Sequence, residues 1–121
     1  MNLNPLNCIC LIVIVILLRN ARAKKRESRV IYHYTACGRG PSSQREYCFD
    51  IVRKGSGYRA YIRSTPDYRG RSTDAHSTHR LYDGRYYVCW TDTIKSIEAM
   101  KAVARRWSDC TQAYIETGTR F

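Results

Sequence analysis

Arginine and tyrosine alternate along one short segment of the chain, Arg59, Tyr61 and Arg63. In a strand, these three side chains would share a face, and the apolar residues between them would point to the opposite side. Arginines neutralise phosphates and a tyrosine ring can stack on a base, as on sheet surfaces that hold nucleic acid. The predicted polyanion-binding residues are Arg59, Tyr61, Arg63, Arg69, Arg71 and Arg80. The alternative is an ordinary solvated sheet face, since no RNP-type or helix-turn-helix motif is present.

A second group of chemically active residues is the sequence Asp74-x-His76-x-x-His79. Two histidines can serve as general acid and base in metal-free RNA cleavage, with Arg71 or Arg80 stabilising the phosphate. They could instead begin a metal site with Asp74, or only support a turn. Spacing of three residues aligns side chains on a helix, whereas this segment lacks helical periodicity. We therefore predict a binding protein rather than an enzyme, with no cofactor and no metal, and keep His76 and His79 as candidate catalytic residues of a ribonuclease-like alternative.

The charge of the chain indicates the class of its partner, and its cysteines bear on the cellular compartment. The chain carries a formal net charge of +11, and from Val30 onward fifteen Lys and Arg face nine Asp and Glu. This balance favours a polyanion as partner: nucleic acid, anionic lipid headgroups or an acidic protein. The cysteines of this region form no Cys-x-x-Cys pair, which argues against a zinc ribbon. They would be disulfide-bonded in an exported chain and reduced in a cytoplasmic one. These cysteines are Cys37, Cys48, Cys89 and Cys110.

The N-terminal part of the chain is different in character. Eleven consecutive apolar residues, beginning with Cys8 and ending with Leu18, precede six cations within the next eleven positions. Because the charge lies only on the C-terminal flank, the positive-inside rule predicts a membrane contact with the following domain in the cytoplasm. Secretion after cleavage near Ala23 is one alternative. A soluble cytoplasmic protein with a misassigned start is the other. We thus predict a leader or anchor over residues 1–29 and a single domain over residues 30–121.

The elements that would position these residues can be predicted from periodicity. Strands are expected over residues 30–35, 47–53, 58–63, 79–82 and 85–90, the last one central, with a hairpin turn at Asp83-Gly84. Residues 64–78 are expected to form a long loop. A helix capped by Thr93 or Ser96 would end at Gly118, with Ser108 and Gln112 on its polar side. The predicted fold is therefore α+β, a small antiparallel sheet of three to five strands packed by one long C-terminal helix.

Two resemblances accompany this prediction. The order of elements resembles that of the arm-type DNA-binding domains of tyrosine integrases. In addition, residues 57–62 (GYRAYI) and 65–70 (TPDYRG) look like the opening of HicB-type antitoxins. In that family, a strand, a proline and a glycine precede an "EA" helix, as Glu98-Ala99 would here. The second predicted hairpin departs from that pattern. Neither resemblance assigns the chain to a family, since a fold-level analogy is a weak argument for function.

Overall fold

Five antiparallel strands and one long helix are the main elements of residues 28–121, the part of the chain that the computed structural model describes. Along the sheet the strands lie in the order β1-β2-β3-β5-β4. The predicted α+β fold, with its C-terminal helix on a small antiparallel sheet, is confirmed. The elements are β1 (Arg29–Thr35), β2 (Glu46–Lys54), β3 (Gly57–Ser64), α1 (Ala75–Thr78), β4 (Arg80–Tyr82), β5 (Tyr86–Val88) and α2 (Ile97–Thr117), with a 3₁₀ turn at Ser42–Gln44.

The N-terminal predictions lie outside these residues. The apolar run from Cys8 to Leu18 and the proposed cleavage position near Ala23 both precede residue 28, so the membrane and secretion alternatives stay predictions. Among the helices of residues 28–121, none has the length and apolar character needed to cross a bilayer.

The β2–β3 hairpin forms as predicted and is the centre of the sheet. Its turn contains Gly55 with φ +59°, a left-handed conformation that glycine adopts without steric cost. Asp50 lies opposite Tyr61 in the register, so the two side chains share a face. The register shifts between Cys48 and Phe49, which marks a bulge near the end of β2.

The second hairpin is also present, with Gly84 at φ +100° in its turn. β5 lies between β3 and β4, as predicted for a central strand, but it ends at Val88 rather than at Trp90. The expectation of an irregular loop over residues 64–78 is wrong at its end, where α1 forms one helical turn. The carboxylate of Asp74 accepts the backbone N–H of Ser77 and caps this turn, a local bond that periodicity does not reveal.

The helix α2 begins and ends where its capping residues predict. Ser96 is the N-cap, and its hydroxyl accepts the backbone N–H of Ala99 at 3.1 Å. Glu98 lies in the first turn, where a carboxylate interacts favourably with the helix dipole. Gly118 follows the last turn with φ +76°, the left-handed geometry of a C-cap.

The core lies between α2 and one face of the sheet. Phe49 and Ile51 of β2 are fully buried there, and Trp107 of α2 packs its ring edge-to-face against Phe49 at 5.9 Å between ring centroids. Burial of large aromatic and aliphatic side chains in this layer is the main stabilising contribution to a fold of this size.

The prediction that Ser108 and Gln112 lie on the polar side of α2 is wrong, because both are fully buried. The hydroxyl of Tyr47 donates to Gln112 Oε1 at 2.9 Å, and the Ser108 hydroxyl donates to the backbone oxygen of Ala104 at 2.7 Å. The Oε1 atom of Gln112 and the hydroxyl of Ser108 are therefore hydrogen-bonded inside the protein, as buried polar atoms usually are. The buried stripe of α2 is consequently wider than its apolar residues alone indicate.

Candidate polyanion-binding face

The sheet presents a second face, on the side opposite α2, which we call the arginine face. In each strand, the residues of this face alternate with the core residues, since successive side chains of a strand point to opposite sides of the sheet. Two residues of the β4–β5 turn, Asp83 and Arg85, also reach it through their contacts with β2 and β3. The strand residues of the arginine face are Arg29, Ile31, His33, Thr35, Glu46, Cys48, Asp50, Val52, Lys54, Arg59, Tyr61, Arg63, Leu81 and Tyr87.

A buried carboxylate lies at the centre of this face. Asp50 is 1 % exposed, and its two oxygens accept the Nε and Nη2 protons of Arg29 at 2.8 and 2.9 Å. Arg85 Nη1 donates to the second oxygen at 3.0 Å. Burial acts to raise the pKa of Asp50, but the hydrogen bonds from the two guanidinium groups outweigh it, and the pKa lies below its usual value. One negative charge thus holds two positive ones, leaving a local surplus of +1.

A second cluster adjoins the first through the rings of Tyr61 and Tyr87, which pack edge-to-face with their centroids 5.8 Å apart. The Tyr61 hydroxyl donates to Asp83 at 2.7 Å, and the same carboxylate pairs with Arg59. The hydrogen bond from Tyr61 holds the pKa of Asp83 below its usual value, with further help from the charge of Arg59. The guanidinium of Arg59 lies 3.9 Å from the ring centroid of Tyr87, and that of Arg85 lies 3.9 Å from the centroid of Tyr61. The arginines of the two clusters are therefore held by both charge and packing.

Three of the six predicted binding residues lie on this face, in different environments. Arg63 is exposed and makes no ion pair within residues 28–121. Arg59 is engaged with Asp83. Tyr61 is 5 % exposed, with Arg85 over its ring, so it presents almost no surface on which a base could stack. The contribution of Tyr61 in this structure is to orient Asp83 and support Arg85.

The other three predicted residues lie elsewhere. Arg69 donates to Gln44 Oε1 at 3.1 Å, and Arg71 Nε approaches the backbone oxygen of Ile115 near the end of α2 at 3.4 Å. Arg80 lies opposite Val88, a core residue, and therefore on the α2 side of the sheet. Its guanidinium lies 3.9 Å from the ring centroid of Tyr86. The six residues consequently do not form one continuous surface.

Sequence reasoning missed the two arginines that define the face. The sequence predicts a domain that begins at residue 30, and this boundary places Arg29 in the leader. Arg85 follows a turn dipeptide, and nothing in its immediate sequence indicates that it would bond Asp50, thirty-five positions away. The signal that could have found them is Asp50 itself, an isolated carboxylate in an apolar strand, which requires cationic partners when it is buried.

The two candidate catalytic histidines are placed by α1. His76 is exposed in its last turn and makes no hydrogen bond within the described part of the chain. His79 ends the helix with φ +49°, and its ring lies 4.4 Å from that of Phe121 between centroids. Asp74 is committed to capping α1. Residues 28–121 contain no group of three His, Cys, Asp or Glu side chains arranged to hold a metal, and their four cysteines are free thiols.

No protein-family model, curated protein or solved structure matches this chain. The resemblances to integrase arm-type domains and HicB-type antitoxins thus stay resemblances of element order and short segments. Function has to be inferred from the contacts of the arginine face.

Proposed function

We propose that the arginine face binds a polyanion, and that its ligand is nucleic acid held through the phosphate groups. The observation that carries this proposal is the pair of arginines on one buried carboxylate. Asp50 is 1 % exposed, whereas the side chains of Arg29 and Arg85 are 61 % and 48 % exposed. The buried carboxylate therefore holds both guanidinium groups in place, while each of the two side chains stays accessible to a ligand from the solvent.

The hydrogen-bonding capacity of the two guanidinium groups supports a second, external partner. Each guanidinium has five N–H donors. Arg29 uses its Nε and one Nη2 proton on Asp50, and Arg85 uses one Nη1 proton. The remaining donors have the planar fork geometry that matches two phosphate oxygens. Because the side chains are already ordered, binding would cost less conformational entropy than it does for free surface arginines.

The balance of charges on the face favours an anionic ligand. Four arginines, Arg29, Arg59, Arg63 and Arg85, together with Lys54, face three carboxylates, Asp50, Asp83 and Glu46. The surplus lies around Asp50 and at Arg63 and Lys54, neither of which has an ion-pair partner in residues 28–121. Nucleic-acid phosphates attract such a surface over a distance of about 8 Å at physiological salt.

The proposed binding mode is independent of base sequence. Contacts to phosphates fix the position of a protein on nucleic acid but carry little sequence information. Tyr61, the aromatic residue expected to stack on a base, is covered by Arg85. We accordingly propose phosphate contacts by Arg29, Arg63 and Arg85, with Tyr61 in a supporting role. A membrane tether formed by the apolar run ending at Leu18 is a companion proposal, which would hold this face at the cytoplasmic side.

The experiment is a binding titration of the full-length protein with fluorescently labelled single-stranded RNA and with duplex DNA, read by anisotropy. Arg63→Gln and Arg85→Gln each remove one proposed phosphate contact. Arg39→Gln is the matched control, since Arg39 is exposed in the loop after β1 and its side chain makes no hydrogen bond or ion pair within residues 28–121. Each face variant should weaken binding and reduce the slope of log Kd against log salt by about 0.7 for the single strand.

Three results would count against the proposal. No measurable binding at about 50 mM salt would contradict it directly. Equal losses in Arg39→Gln and Arg85→Gln would mean that overall charge, rather than the arginine face, attracts the ligand. Displacement of RNA by polyglutamate at equal charge concentration would instead favour an acidic protein as the partner, the alternative that the same charge surplus allows.

A further inference from the structure

A thiol and an imidazole lie side by side at one end of the arginine face. Cys48 of β2 and His33 of β1 are direct partners in the antiparallel register. Cys48 Sγ lies 3.9 Å from His33 Nε2, within the range of a sulfur hydrogen bond. The bulge between Cys48 and Phe49 interrupts the regular pairing of β2 with β3 at this position. Bulges often redirect a side chain next to a functional site.

The pair borders an open groove of about 530 Å³. Arg63 and Glu46 also line this groove, so it has a positive and a negative group on its walls. Pockets of about 300–1,000 Å³ hold ligands of small-molecule size. A short peptide that carries both carboxylate and ammonium groups would complement the two charges, with its carboxylate at Arg63 and its ammonium at Glu46.

We infer that Cys48 is a thiol modification site, at which the disulfide of a small zwitterionic peptide of the glutathione type forms a mixed disulfide. This inference concerns Cys48, His33, Glu46 and Arg63 and does not require that the arginine face bind nucleic acid. The step uses the disulfide as oxidant and needs no other reactant. It requires neutral His33 with an unprotonated Nε2, the nitrogen that faces the thiol.

The chemistry is an exchange between a thiol and a disulfide. His33 Nε2 takes the proton of Cys48, and the resulting thiolate attacks one sulfur of the peptide disulfide. A bond forms between Cys48 Sγ and that sulfur as the original sulfur–sulfur bond breaks. The second half of the peptide leaves as a thiolate and receives the proton from the imidazolium. Cys48 is oxidised, the leaving half is reduced, and the net products are a mixed disulfide and a free peptide thiol.

The test uses an internal comparison between two cysteines. The reduced full-length protein is incubated with oxidised glutathione at neutral pH, and modification of each cysteine is followed by peptide mass spectrometry over time. Cys37 is the reference, because it is exposed but has the carboxylate of Asp109 nearby instead of an imidazole. We expect Cys48, although less exposed than Cys37, to react roughly tenfold faster, an effect below the usual range for a general base in an enzyme.

Two variants separate the roles of the neighbours. His33→Gln keeps a polar side chain without a basic nitrogen and should remove most of the advantage of Cys48, leaving the rate of Cys37 unchanged. Arg63→Gln should slow the reaction with oxidised glutathione but not with neutral bis(2-hydroxyethyl) disulfide. Circular dichroism checks that both variants are folded, which we expect because both side chains are exposed.

Three outcomes would overturn the inference or its choice of reactant. If Cys48 reacts no faster than Cys37, the imidazole does not activate the thiol. If His33→Gln leaves the rate at Cys48 unchanged, any advantage of Cys48 has another origin. Equal effects of Arg63→Gln on the charged and the neutral disulfide would remove the assignment of a zwitterionic peptide as the reactant.

Discussion

Replacing Asp50 by Asn tests whether one carboxylate organises the arginine face. The side chain keeps its shape, loses its charge and retains only one acceptor oxygen for Arg29 and Arg85. Removing one partner of a buried ion pair costs about 3–5 kcal/mol. Here both guanidinium groups are about half exposed and can be hydrated when the carboxylate is lost, which lowers the cost. We therefore expect the free energy of unfolding to fall by about 2 kcal/mol at neutral pH.

The pH dependence of this loss has a definite sign. The pKa of Asp50 is lowered in the folded protein, so its stabilising contribution is present above the pKa of an unfolded aspartate, near 3.9. The contribution disappears as the pH falls through the still lower folded pKa. The difference in stability between the wild type and Asp50→Asn should thus be largest near neutrality and shrink below about pH 4.

Urea unfolding followed by tryptophan fluorescence measures both quantities, since Trp107 is buried in the core. Asp92→Asn is the matched control. Asp92 is exposed and makes no ion pair within the described residues, so this variant should stay within about 0.5 kcal/mol of the wild type. A loss for Asp50→Asn no larger than that of Asp92→Asn would refute the reasoning, and so would a loss that persists undiminished at pH 3.

Three further predictions concern the helix cap, the candidate catalytic residues and a tyrosine. Ser96→Ala should destabilise the protein by about 1 kcal/mol through loss of the N-cap bond, measured by thermal unfolding. The double variant His76→Ala, His79→Ala should bind RNA as the wild type does in the anisotropy assay, whereas loss of an RNA-cleaving activity would support the ribonuclease alternative. Burial above all, and then the hydrogen bond to Asp109, raises the pKa of Tyr34 to about 12. Because the unfolded tyrosine ionises near pH 10, the wild type should lose stability between pH 10 and 12 more steeply than Tyr34→Phe, in urea unfolding at each pH.

Elements with local signals were predictable from the sequence. Ser96 and Gly118 bound the long helix because capping depends on backbone groups within a few residues. The first hairpin was predictable from the alternation of apolar and polar residues on either side of a glycine turn. The position of β5 between β3 and β4 also agrees with its apolar residues on both sides.

Contacts between distant segments were not predictable in the same way. The bond from Arg85 to Asp50 depends on how the second hairpin lies against the first, and no local pattern specifies that arrangement. Tyr61 has the parity of an exposed residue but is covered by Arg85, since a long flat side chain can lie across a strand. Gln112 is of a residue type that is mostly exposed, and here it is buried because Tyr47 supplies a hydrogen-bond partner.

Arginine-selective modification with phenylglyoxal, with and without bound RNA, tests most directly whether the arginine face is the binding surface. The full-length protein is modified briefly at low salt, and each arginine is quantified by peptide mass spectrometry. We predict that RNA protects Arg29, Arg63 and Arg85 while Arg39 reacts equally in both samples. Protection of Arg39 with continued reactivity of Arg63 and Arg85 would contradict the account and move the binding site away from the arginine face.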